Sequence, residues 1–193
     1  MPLVTISGLP GAGTSTLARA VAAALGLAHV DGGQVFRALA AERDQDVHAF
    51  GAEAESDPSI DVELDTRLAR RGAEGDVVLE SRLAGWIATH EGLPALRVWV
   101  ECAEGERARR VAAREGSTPD VTAAQNRRRE VSEARRYRDY YGIDLADRSP
   151  YDLVLDSTAT PVEDLLAAVL AAAPGRAGPG SGTAVSPGAD AAL

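Results

Sequence analysis

The stretch Gly8-Leu9-Pro10-Gly11-Ala12-Gly13-Thr14-Ser15-Thr16 decides how the rest of the chain is read. An apolar run, Leu3 to Ser7, enters it, and a helix-patterned run from Ser15 to Leu25 leaves it. Glycines at 8, 11 and 13 permit left-handed φ values and close backbone approach, so N–H groups can converge on an anion at a helix N-terminus. The spacing matches G-x-x-x-x-G-K-[ST] except at one position, because Thr14 stands where that motif has lysine. The phosphate cradle remains, and one point charge is missing from it. The alternative, a glycine-rich turn without a ligand, does not require three glycines at this spacing.

Outward from this loop, short apolar runs alternate with helix-length patterns. Leu3 to Ser7, Ala28 to Val30, Val77 to Leu79, Leu96 to Val100 and Leu153 to Leu155 read as buried strands. Helices are predicted over Ser15 to Leu25, Gln34 to Glu42, Val47 to Glu55, Ile60 to Arg71, Glu104 to Arg114, Thr122 to Tyr140 and Pro161 to Ala172. Asp31 is the N-cap expected for the second helix, and Pro161 suits a helix start. The alternation is the βαβ signature of an α/β domain with a parallel sheet.

At 193 residues and 45% hydrophobic content, the chain fits one such domain, expected over residues 1–172. The remainder, 173–193, is rich in Ala, Gly and Pro and is expected to be a disordered tail. No run reaches the length of a membrane span and no signal segment is recognised, so a cytoplasmic location is expected. The single cysteine, Cys102, follows Val98-Trp99-Val100 and reads as a packing residue. A net charge of −9 opposes general nucleic-acid binding. All 20 basic residues are arginine, and ten of them lie between Arg107 and Arg138.

Arginines also follow the strands. Asp31-Gly32-Gly33-Gln34-Val35-Phe36-Arg37 leaves the second strand and Glu80-Ser81-Arg82-Leu83-Ala84-Gly85-Trp86 leaves the third. In a parallel sheet, segments leaving the carboxyl ends of strands line one crevice with the phosphate loop. Arg37 and Arg82 are therefore placed together to fork a second phosphate; taken singly, either reads first as a surface ion pair. Further on, Arg129, Glu133 and Arg136 recur at i, i+4 and i+7, so a helix would project two guanidinium groups with a carboxylate between them. That suits a closing lid, and it also suits a solvated, ion-paired helix.

Gly8 to Thr16, Val35-Phe36-Arg37, the run Val78 to Trp86, and Ser132-Glu133-Ala134-Arg135-Arg136-Tyr137-Arg138 through Tyr141-Gly142-Ile143-Asp144, with Tyr151-Asp152-Leu153, together resemble the short, archaeal-type cytidylate kinases. The likeness covers about Leu3 to Ala172. It implies a P-loop three-layer α/β/α fold with a five-stranded parallel sheet, a monophosphate-binding region over about 31–73 and a helical lid over about 116–146. It also implies ATP on Gly8, Leu9, Pro10, Gly11, Ala12, Gly13, Thr14, Ser15 and Thr16, with the adenine bordered by Asp156 to Ala159. Threonine in place of the loop lysine is a variant this family tolerates. Two departures stand out: Gln34 replaces an expected aspartate, and Asp31-Gly32 replaces the more usual Ser-Ala.

The expected reaction is Mg-assisted phosphoryl transfer from ATP to CMP or dCMP. Ser15 would ligate magnesium and Glu80 would hold a magnesium-bound water. Arg37 and Arg82 would anchor the acceptor phosphate, and Arg129 and Arg136 would neutralise the migrating charge. Asp61 and Asp65, one helical turn apart, can accept from a cytosine amino group; Asp61 also reads as a helix-start residue. The partners expected are small nucleotides, without nucleic acid or membrane, on a monomer. Two alternatives stay open: a kinase of a modified nucleotide or another small metabolite, and a nucleotide-binding regulatory module without catalysis.

Overall fold

A computed structural model describes residues 2–173. Five strands, β1 (Leu3–Gly8), β2 (Ala28–Asp31), β3 (Val77–Glu80), β4 (Leu96–Glu101) and β5 (Leu153–Asp156), form one parallel sheet in the order β2-β3-β1-β4-β5. Among the described residues the helices are α1 (Thr14–Leu25), α2 (Gly32–Glu42), α3 (Val47–Ala54), α4 (Pro58–Glu74), α5 (Ala84–His90), α6 (Glu104–Glu115), α7 (Pro119–Tyr141) and α8 (Val162–Ala172). The fold is therefore the α/β class expected, with the central β1 feeding the phosphate loop. Among the described residues, no helix is long and apolar enough to cross a membrane. The tail expected beyond the last helix falls, from residue 174 on, outside the described residues.

Because β1 is covered on both faces, its six residues are buried without alternation, polar Thr5 and Ser7 included. On one face, Val4 and Ile6 pack with Val78, Val98 and Val100 beneath Leu17, Val21, Leu165 and Val169 of α1 and α8, with Cys102 at the margin. On the other, Leu3, Val77 and Leu79 meet Ala84 and Ala88 of α5. Ser7 lies on that second side, where its hydroxyl accepts from Gly85 N at 3.2 Å and ties α5 to β1.

Helix α5 lies where no helix is predicted, and seven residues are too few for its periodicity to show. Packing explains its small residues: a Cβ on Gly85 would stand 2.3 Å from Tyr151 Cε1. A separate apolar cluster, Leu39, Phe50, Ala54 and Ile60, joins α2, α3 and α4 into the lobe beyond β2. Helix α4 begins at Pro58 behind the N-cap Asp57, whose carboxylate accepts from Ser59 N. The cap is therefore Asp57, and Asp61 lies in the first turn of the helix, as its helix-start reading implied, and is buried.

Candidate active site

The parallel strands end together at Gly8, Asp31, Glu80, Glu101 and Asp156, and the strand order reverses at β1, so a crevice opens there. At its floor the chain turns through Gly11 and Gly13, at φ +83° and +89°. Neither tolerates a side chain easily: a Cβ on Gly11 would lie 2.6 Å from Arg107 O. Gly8 is equally confined, since its Cβ would meet Thr14 Cγ2 and Val100 O at 2.7 Å.

Gly13 caps α1 without any side-chain hydrogen bond. Helices α2, α3, α4 and α7 begin at Asp31, Asp46, Asp57 and Thr118, each of which satisfies a first-turn N–H, whereas α5, α6 and α8 share the lack of a side-chain cap but do not follow the loop. Helix α1 thus offers its dipole and open N–H groups to the crevice, the arrangement that receives a phosphate.

Thr14, at the lysine position, turns its hydroxyl to Glu80 Oε1 at 2.7 Å. Ser15 donates to the same oxygen at 2.5 Å, and His29 Nε2 stands 3.0 Å from Glu80 Oε2. Two hydroxyls and a carboxylate form an oxygen-rich corner of the kind that suits magnesium, which takes few protein ligands and completes its shell with water and phosphate oxygens. Among the described residues, no group of three His, Cys, Asp or Glu is placed to hold a metal ion.

The arginines are arranged differently from the face-sharing expected on α7. Glu133 does grip Arg129, Nε to Oε1 at 2.7 Å, but its second oxygen accepts from Arg82 Nε at 3.0 Å. Arg136 instead faces Asp61 Oδ2 at 3.1 Å, outside good hydrogen-bond angles. The carboxylate expected between Arg129 and Arg136 therefore joins Arg129 to Arg82. The reason is burial: Glu133 and Arg136 are enclosed, each beside a different neighbour, while Arg129 remains largely exposed. Arg82 also donates Nη1 to Gly8 O at 3.2 Å, which holds it against the phosphate loop. Arg37 lies 3.8 Å from Asp31 Oδ2 and is mostly solvent-facing.

Burial pushes the Glu133 carboxyl up, yet the guanidinium groups of Arg82 and Arg129 outweigh it and hold it below the usual carboxylate range. Asp61 goes the other way: burial raises it in spite of Arg136, and Glu133 adds to the rise. Asp65 is pushed up to about 7, by burial first, with the neighbouring Asp61 charge adding and the Tyr141 hydroxyl opposing. Asp61 and Asp65 are thus neighbours as the spacing implied. Asp65 opens on a cavity of about 230 Å³ lined also by Thr66, Trp86 and Tyr141.

Two arginines of α6 were not singled out among the cluster. Arg107 donates to Pro10 O at 3.2 Å and pairs with Glu130 of α7, bracing the phosphate loop against the arginine-rich helix. Arg110 is held by Ser157 O at 2.7 Å and Glu106 at 2.7 Å, and its Nη1 lies 3.6 Å from where a Cβ on Gly13 would stand. Ser157 closes the same side by donating to Ala12 O at 2.7 Å. Their i, i+3 spacing on a helix placed them on one face, but nothing local showed that face meeting the loop.

The model of the cytidylate kinase-like family matches residues 3–159. A cytidylate kinase of Methanocorpusculum labreanum is 46% identical over 88% of this chain and 94% of its own length. One from Methanopyrus kandleri is 44% identical over 81% of this chain and 84% of its own. Among solved structures, shikimate kinase from Bacteroides thetaiotaomicron aligns with a TM-score of 0.59 at 14% identity, over 89% of this chain and 97% of that one, a likeness of fold. With the phosphate loop, the strand order and the arginines that border the crevice, these matches place the chain in the cytidylate kinase-like family.

Proposed function

We propose that the protein transfers the γ-phosphoryl group of ATP to CMP or dCMP. The observation that carries this reading is the uncapped N-terminus of α1, with two hydroxyls held on Glu80 and Arg82 fixed against the loop carbonyl of Gly8. An oxygen of the acceptor phosphate attacks the γ-phosphorus, the bond to the β–γ bridging oxygen breaks, and ADP leaves with that electron pair. The acceptor is already an anion, so no strong general base is needed, and positioning with charge neutralisation carries the catalysis.

Each residue then has a role. The loop backbone from Gly11 to Thr14 cradles the ATP phosphates. Ser15 would hold magnesium directly and Glu80 would hold it through water; the metal supplies charge neutralisation on the phosphate oxygens. Arg37 and Arg82 receive the acceptor phosphate, with Arg129 and Arg136 contributing from α7. Arg82 and Arg110 border the loop and are the groups we assign to offset the charge that Thr14 does not bring.

Residues 31–73 form the acceptor side, where the buried Asp61 and the half-buried Asp65 face the base, and 116–146 the covering segment. A cavity of about 330 Å³ lined by Leu9, Arg107, Asp156 and Thr158 supports adenine binding on the other side. Since one chain supplies both sides, we take the working unit as a monomer acting on cytoplasmic nucleotides.

The Asp31-Gly32 departure has a local cause. Asp31 caps α2, accepting from Gly33 N at 2.7 Å, and a Cβ on residue 32 would press within 2.8 Å of Ser81 Cβ. Gln34 is exposed and leaves a different acceptor as the second reading. Steady-state ADP release measured with CMP, dCMP, UMP and AMP separates the two: preference for the cytidine nucleotides supports the proposal, and a flat or absent response sinks it.

A further inference from the structure

The edge strand β2 contributes a side chain to this site that no motif marks. His29 pairs with Val78 and Asp31 with Glu80 in the β2–β3 register, so His29 and Glu80 project on the same face of the sheet, one diagonal step apart. There His29 Nε2 lies 3.0 Å from Glu80 Oε2, with 16% of the imidazole exposed. The carboxylate is thereby divided. One oxygen takes both loop hydroxyls, Thr14 at 2.7 Å and Ser15 at 2.5 Å, and the other takes the imidazole. Glu80 is only 6% exposed, so without His29 its second oxygen loses its protein hydrogen-bond partner.

We propose that His29 is a positioning residue for phosphoryl transfer. By holding Glu80 Oε2 it keeps Oε1 on Thr14 and Ser15, so both hydroxyls are oriented before the magnesium nucleotide arrives. The inference rests on the assignment of Ser15 and Glu80 to the metal side. Strand β2 then sets both halves of the site, because its last residue, Asp31, caps the helix that carries Arg37. A group that orients a metal-side carboxylate in this manner characteristically changes metal affinity by 10- to 100-fold when it is lost.

The test is a calorimetric titration of ADP, with and without Mg2+, on the parent protein, His29→Leu, His29→Gln and Glu80→Gln. In the parent, Mg2+ tightens ADP binding. In His29→Leu that enhancement falls by about 10-fold while metal-free ADP affinity is unchanged. Glutamine, whose amide nitrogen reaches the position of Nε2, restores it. Adding His29→Leu to Glu80→Gln produces no further loss. Steady-state rates carry the same split, with KM for Mg·ATP raised and KM for CMP unmoved.

An undiminished Mg2+ enhancement in His29→Leu overturns the proposal, as does an equal loss in His29→Leu and His29→Gln. Should His29→Leu fail to fold, the remaining pair decides: His29→Gln must keep the enhancement and Glu80→Gln must lose it. Binding is read without turnover, so failure to phosphorylate CMP and failure of His29 to position Glu80 give different results.

Discussion

Replacing Glu133 by glutamine keeps the side chain's shape and removes the charge that joins Arg82 to Arg129. The two halves of this junction are unequal. Arg129 is 63% exposed, and an exposed i, i+4 ion pair contributes only about 0.3–0.5 kcal/mol. Arg82 is 20% exposed against a carboxylate that is 8% exposed, and removing one partner of a buried pair costs about 3–5 kcal/mol. The second figure dominates. In a domain of this length it lowers Tm by about 6–20 °C.

The pH dependence gives a signature. Glu133 is held below its ordinary value in the folded protein, so its contribution is fully present above the unfolded carboxylate range, about pH 4.3. It is lost as pH falls through the lowered folded value. Melting curves of the parent and Glu133→Gln should differ by a constant amount from pH 6 to 8 and converge in acid. A Tm difference below about 2 °C at neutral pH, or one that persists unchanged in acid, would refute the buried-pair reasoning.

Arg136→Ala should lower kcat by about 10²- to 10³-fold, as removal of a charged transition-state donor does. It also strands the buried Asp61, so Asp61→Asn/Arg136→Ala should regain stability without regaining turnover; a return of turnover would assign Arg136 to structure alone. Asp65 has a folded value near 7, above its unfolded one, so it binds more protons folded than unfolded between roughly pH 4 and 7, and stability declines across that window. Asp65→Asn should therefore gain Tm over the parent at pH 8 relative to pH 5, and an identical difference at the two values contradicts the raised carboxyl. Gly11→Ala forces a side chain onto φ +83° and against Arg107 O, and titration with a fluorescent ATP analogue should show binding lost; parental affinity would mean the loop does not form the cradle.

The sequence carried more of the fold than of the site's wiring. All five strands are present, each with its carboxyl end one residue further than the apolar run implied, because Gly8, Asp31, Glu80, Glu101 and Asp156 pair in the sheet without being apolar. The seven helices read from periodicity are present, and Asp31 caps α2 as its type and position implied. What escaped was set by contacts between elements. His29 meets Glu80 only through the β2–β3 register, Arg110 meets the loop only through the seat of α6, and Glu133 chooses Arg82 over Arg136 because α7 lies against the turn after β3. Periodicity places residues on a face; it does not say which neighbour that face meets.

The most direct measurement is phosphorus NMR of the protein with ATP, Mg2+ and CMP. Phosphoryl transfer as described requires CDP and ADP to grow in equal amounts as ATP and CMP decline, with no inorganic phosphate. ATP consumed without CDP, or no change in any resonance while the protein remains folded, would contradict it.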